Sequence, residues 1–525
     1  MSSSKTHNPR TVMKIFQYKL ITLVTVLCLM TTFSCSEYLD APLENQILAE
    51  GTDYSQSQNM VLMLNGAYAE LYGFQWETFP LISVRGDDAN PAGDQEPLFG
   101  TDTYDYDRSF WIYNSTWLNM YSDIIYWNGA MEEIQKYQEA GADAARASQY
   151  IAEIQVMKGY NLLQLARLWN NILIPEGSDP NALYDVELTA FNDVMQYISD
   201  MMDQAMPNLP NVHPNQRSDI RGGVTRYTAL AIKALANLEM ENYQGAADAT
   251  GAIIESGEFM LETDYYQLFK IPGKLNNENI LEFQYSDYGA ESGTSDRFPW
   301  QVYGPQAVGW QPAVPGSSGG WGFWEPTEKY VKFMLDRNDR KRLQTTVLFT
   351  PDGISDIESD PDYANLPNWV SNVTPDGDVF GNAPRYRFLS GKHYLPTTQL
   401  TPGRFNYGEN KNMIAIRYAE ILLVHAEALV SGASSSVMSA DEAVNAVRSR
   451  ANLGSLSGVT LDEVLNEKFA EFGMEWGVRF FDLVRHDRTS ELNYGGRTFQ
   501  EGDRFLPYPL DQQDILPQLQ DASNQ

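Results

Sequence analysis

Three sets of residues in this 525-residue chain are typed and spaced for chemistry: a serine among glycines, a run of acids, and a run of tryptophans. Gly316-Ser317-Ser318-Gly319-Gly320 matches G-x-S-x-G, in which a serine nucleophile sits on a sharp strand-to-helix turn. Its flanks do not supply that turn, since Gln-Pro-Ala-Val-Pro lies upstream and Trp-Gly-Phe-Trp follows. His213, His393, His425 and His486 form no H-E-x-x-H or other close metal pair. A glycosidase needs two well-placed carboxylates, and among 69 acidic residues their presence alone selects nothing. Asp356, Glu358 and Asp360 alternate as in a calcium loop, but Pro361 stands where an EF-hand needs glycine. A solvated acidic loop is the plainer reading, and no metal or other cofactor is expected apart from that weak structural calcium.

The tryptophans carry more. Residues 298–325 hold Trp300, Tyr303, Trp310, Trp321 and Trp324 in a stretch too rich in Gly and Pro for a regular element. Such loops run over the surface, where clustered indoles mark an interaction site. Flat indole faces suit the C–H faces of sugar rings, while polar neighbours orient the hydroxyls. Asp287, just after an expected strand at 280–285, is a weaker candidate. The plainer reading is a loop pinned by its own aromatics. It applies best to Trp321 and Trp324, which directly precede the run Pro326-Thr327-Glu328-Lys329-Tyr330-Val331.

The elements that must position these loops are helical. Residues 411–430 are apolar almost all round, as in a buried helix, yet Arg417, Glu420 and Glu427 make one polar stripe. Buried charges need partners, which 443–453 and 466–486 offer: Glu467, Glu471, Glu475 and Arg479 step along one helical face, followed by Asp482 and Arg485. Further helices are expected at 59–72, 115–139, 142–170, 191–206, 224–239 and 243–256. Paired, and joined by helices at 413–429, 441–451 and 461–472, they read as about four degenerate tetratricopeptide-like repeats. Residues 261–410 differ: Gly, Pro, Asn and Asp are dense, and helices and strands are few and short. This reads as a loop-rich, ligand-binding insertion between repeats three and four.

The ordered set Ile416–Leu429 (IRYAEILLVHAEAL), VNAVRSRANL, EF…E…RFFDLVR and FLPYPLDQQDI resembles the C-terminal signature of the SusD/RagB family. Departures are Lys468 where the family has Arg, Trp476 where Gly is usual, and the Ser-Asn-Gln end. The resemblance implies a mostly α, SusD-like fold and a non-catalytic, cell-surface, nutrient-binding lipoprotein. It further implies a SusC-like TonB-dependent transporter barrel as partner, with ligand trapped under an opening lid. The loop from Trp76 to Asp88 then becomes a second ligand-facing stretch, with Trp76 for stacking and Arg85, Asp87 and Asp88 for hydroxyls. The expected ligand is an oligosaccharide; a peptide is the alternative within the family, and a surface hydrolase or esterase the alternative outside it.

The first residues fit this. Lys5, Arg10, Lys14 and Lys19 precede an apolar run at 20–30 too short to span a bilayer, and Thr32-Phe33-Ser34-Cys35 fits a loose lipobox. The expected layout is a lipoprotein signal peptide over 1–34 and a tether over 35–58, lipidated at Cys35. Helical repeats follow over 59–260, the insertion over 261–410 and the signature region over 411–525. Ser36-Glu37-Tyr38-Leu39-Asp40, just after the Cys, resembles a surface-export signal of such lipoproteins and implies anchoring on the outer face of the outer membrane. A net charge of −32 repels nucleic acid and argues for a neutral ligand unless a local basic pocket exists.

Overall fold

A computed structural model describes residues 52–71, 78–285, 304–400, 402 and 411–520. Contacts divide the chain into Met1–Gln56 and Ser57–Gln525, and every element below belongs to the second unit. Its frame is a train of helices: α1 (Met60–Glu70), α2 (Trp111–Glu139), α3 (Ala144–Trp169), α4 (Phe191–Ala205), α5 (Arg226–Glu239) and α6 (Tyr243–Ser256). Each packs on the next, and α1 lies against both α2 and α3. Local signals set the ends. The Asp143 side chain accepts the Arg146 N–H at 2.7 Å to start α3, and Gly257, in the left-handed region, closes α6.

The chain then leaves the array and returns at α10 (Tyr418–Val430), which packs directly on α6. After it come α11 (Ala440–Arg450), α12 (Leu461–Phe472) and α13 (Val478–Arg485). Paired in order, α2 with α3, α4 with α5, α6 with α10 and α11 with α12, the helices make four units. The insertion therefore splits the third pair and does not lie between the third and fourth.

Within the insertion are α7 (Glu328–Asp336), α8 (Arg340–Thr346) and α9 (Pro351–Glu358), more helix than its composition suggests. Among the described residues, eight short strands pair antiparallel: β1 (Ala89–Pro91) with β5 (Trp324–Pro326), β2 (Ile172–Leu173) with β3 (Leu188–Thr189), β4 (Asn279–Phe283) with β8 (Met413–Arg417), and β6 (Val347–Phe349) with β7 (Phe388–Ser390). The β4–β8 pair joins the insertion's entry to its exit. It also corrects the sequence reading, for 413–417 is strand and α10 starts only at Tyr418. A buried run that is apolar on every side carries no period, so strand and helix look alike. Nor are 466–486 one helix. Met474, Trp476 and Gly477 take positive φ between α12 and α13, and a Cβ on Gly477 would meet the Ile82 carbonyl oxygen at 2.4 Å.

The break puts Glu475 beside Glu471 around Arg417. That guanidinium bonds Glu278 at 2.9 Å, Glu475 at 2.8 Å and Glu471; Arg450 bonds Glu278 and Glu471; Arg342 bonds Glu467 at 2.8 Å and Glu471 at 3.1 Å. A second cluster places Glu427 on Lys468 at 2.7 Å, Arg485 at 2.6 Å and His486 at 2.8 Å. The charged stripe is thus neutralised inside, and it staples the insertion and the signature region to the helical train.

Glu420 is the member of the stripe left outside these pairs. Burial pushes its carboxyl up to about 7, against the pull of Arg167, Lys468 and Arg417. Burial would also raise Glu467, Glu471 and Glu475, yet the surrounding cations outweigh it and hold all three low. The signs are opposite. The lowered group stabilises the fold above the free glutamate range and loses that as pH falls. Glu420 contributes at low pH and loses its contribution as pH rises through about 7. Glu420→Gln, which mimics the protonated acid, should raise urea stability by less than about 1 kcal/mol at pH 5 and by about 3 kcal/mol at pH 9. An equal shift at both pH values would refute this.

Candidate functional site

An open cavity of about 360 Å³ lies between the C-terminal half of α1, the turn at 220–223 and strand β4. Asn65 and Tyr68 come from α1, Arg221 from the turn, and Glu282 and Gln284 from β4 and its exit. Leu71 and Gln284 both line it, and the described chain stops at Leu71 before 72–77 and at Tyr285 before 286–303.

Each wall is held rigid from behind. The Tyr68 hydroxyl donates to Glu153 at 2.5 Å and accepts the Val224 N–H at 2.8 Å, so its polar end is consumed and its ring remains for the cavity. Arg217 grips Glu153 through two hydrogen bonds of 2.8 Å and Asp219 at 2.8 Å. Glycines let the turn approach: Gly222 has φ +81, and a Cβ there would meet Gln284 Nε2 at 2.6 Å, while one on Gly223 would meet the Tyr68 hydroxyl at 2.8 Å. Glu282 is buried, which pushes it up to about 7; Asn412, the Leu275 N–H at 3.0 Å and Asn279 at 2.6 Å hold its oxygens. Gln284 is exposed, its Oε1 accepting from Asn412 at 2.9 Å. An aromatic ring, amides and a guanidinium around an open space suit a ligand with flat apolar faces and many hydroxyls.

The residues singled out from sequence divide. Cys35, Trp76, Asp287, Trp300 and Tyr303 lie outside the described residues. Arg85 and Asp88 are buried in the interior, which corrects their assignment to a ligand face. Arg85 stacks on Phe480 at 4.2 Å and donates to the Arg167 and Arg504 carbonyls, and Asp88 accepts the Met474 N–H at 2.8 Å. Asp87 pairs with Arg479 at 2.9 Å. The pair of acids is a clamp between the N-terminal segment and the α12–α13 break. Trp310 is 4% exposed, packed on Phe380 and Tyr394, and Trp324 is 1% exposed within β5, so neither offers a face to ligand. Trp321 is 37% exposed and leans on Phe323. Packing therefore buries Trp324, as its position suggested, while Trp321 keeps more than a third of its surface exposed.

Nor do the other chemical motifs assemble. Asp356 and Glu358 fall on α9, where residues two apart point to different sides. Asp356 pairs with Arg387 at 2.7 Å and Asp360 with Lys332 at 2.6 Å, and among the described residues no three acids or histidines are grouped to hold a metal ion. Ser318 Oγ donates to the neighbouring Gly319 carbonyl, with neither strand before nor helix after it. Tyr68, Arg221 and Gln284 were missed. The signal for Tyr68 was its place on α1 shortly before the Trp76–Asp88 stretch, and for Arg221 the Gly-Gly that follows it.

Comparison with known proteins agrees with this architecture. Residues 277–518 match the model of the SusD family. A SusD-like protein of Bacteroides ovatus is 21% identical over 92% of this chain and 85% of its own length. A SusD-like protein of Formosa agariphila is 24% identical over 88% of this chain and 89% of its own. Among solved structures, a laminarin-binding SusD-like protein superposes with a TM-score of 0.71 at 19% identity, covering 87% of this chain and 97% of its own. Surface glycan-binding protein A from Bacteroides thetaiotaomicron, in complex with laminarihexaose, gives 0.70 at 20%, covering 89% and 99%. At such identities the superpositions speak for the fold.

Proposed function

The chain belongs to the SusD family, and from that premise we propose that it is a non-catalytic, surface-exposed lipoprotein that captures an oligosaccharide and passes it to a SusC-like, TonB-dependent barrel. The observation that carries this reading is the open cavity of about 360 Å³ on a rigid wall of α1, the 220–223 turn and β4. The glycan ligands named for two structural relatives support the ligand class. Anchoring through Cys35, on the outer face of the outer membrane, belongs to the same reading; among the described residues no helix is long and apolar enough to cross a membrane.

The binding mode follows from the lining. The Tyr68 ring stacks under a sugar face, while Asn65 and Gln284 reach its hydroxyls. Each contact is weak, so affinity grows with several sugar units. Titration calorimetry of the full chain in detergent against a polysaccharide panel should give heat with at least one glycan, and Tyr68→Phe should keep it where Tyr68→Ala weakens it about tenfold or more. Heat with peptides and with no glycan would defeat the proposal. Capture of a barrel protein from outer membranes by the tagged chain tests delivery.

A further inference from the structure

Arg221 stands exposed on the cavity wall and, among the described residues, makes no hydrogen bond or ion pair. In a chain with 69 acidic and 37 basic residues, an unclaimed guanidinium at a binding cavity calls for a reason. Its backbone is fixed. The Gly222 N–H donates to the Pro214 carbonyl at 2.8 Å and the Gly223 N–H to the Ile220 carbonyl at 2.9 Å, and the two glycines are wedged between Gln284 and Tyr68. The nearby acids are already used: Asp219 by Arg217, and Glu282 by three donors with Lys274 in its field. The remaining lining groups, the Asn65 and Gln284 amides, are neutral. Among the described residues, the cavity therefore presents a cation without its anion.

We propose that Arg221 receives the carboxylate of a uronic acid, so that the saccharide captured here is acidic. The inference rests on the glycan reading above and supplies the local basic pocket that the overall negative charge demands of an anionic ligand. A guanidinium fork matches a carboxylate with two parallel hydrogen bonds, a geometry that a hydroxyl cannot reproduce. Tyr68 stacks the same ring, so charge and face are read together.

The test uses the full chain in detergent and oligosaccharides from pectin, alginate and glucuronoxylan, each paired with its carboxyl-reduced, neutral form. The expected result is binding of an acidic oligosaccharide about 10- to 100-fold tighter than its reduced partner. Arg221→Gln should remove that difference, and Arg221→Lys should restore only part of it, with thermal unfolding unchanged because Arg221 is exposed. Equal affinity for acidic and reduced forms, or binding indifferent to Arg221→Gln, overturns the inference and leaves the glycan reading standing. Binding of an acidic peptide with no saccharide bound overturns both.

Discussion

Arg417→Met should destabilise the chain by about 3–5 kcal/mol, or prevent it from folding. The guanidinium is fully buried and faces Glu278, Glu471 and Glu475, whose carboxylates meet it from the insertion's entry and from the α12–α13 break. Removing it leaves three buried acids with Arg450, Arg342 and Lys392 as their remaining cations. A buried pair need not outdo an apolar one, but a buried charge that has lost its partner is strongly unfavourable. Arg387→Met provides the contrast, since its pair with Asp356 is about half exposed on both sides and should contribute less than about 1 kcal/mol. Urea unfolding of both variants at pH 7 measures the difference. Similar small losses would mean that water reaches the Arg417 cluster.

The second large effect separates two tryptophans that look alike in sequence. Trp310→Ala should remove about 3–5 kcal/mol, because the indole fills the insertion's own core among Phe380, Tyr386 and Tyr394. Trp321→Ala, on a side chain more than a third exposed, should stay within about 1 kcal/mol. Thermal unfolding reads both. A stable Trp310→Ala protein would show that 304–400 is held by something other than that core.

The helical train was legible because amphipathic periods and caps such as Asp143 and Gly257 are local signals. The charged stripe was legible because buried ions require partners, and the pairs of Arg417 and Glu427 followed. Less could be read where tertiary pairing decides. Strand β8 emerges only because β4 lies beside it, and the α12–α13 break depends on Gly477 pressing against the Ile82 carbonyl. The insertion looked like loop because turn residues dominate its composition, yet two apolar clusters organise it. Composition alone cannot tell an indole that pins a loop from one that greets a ligand, which is why Trp310 was misplaced. The cavity itself draws on three distant segments, 65–71, 220–223 and 281–284, and no spacing in sequence announces such a meeting.

The most direct measurement fills the cavity without touching the core. Asn65 is exposed on α1 and lines the space, so Asn65→Trp should occupy it and leave the fold intact. Calorimetric titration of this variant with whichever glycan the wild-type chain binds should show affinity reduced beyond detection at an unchanged melting temperature. Wild-type affinity in the plugged variant would place the ligand elsewhere on the molecule.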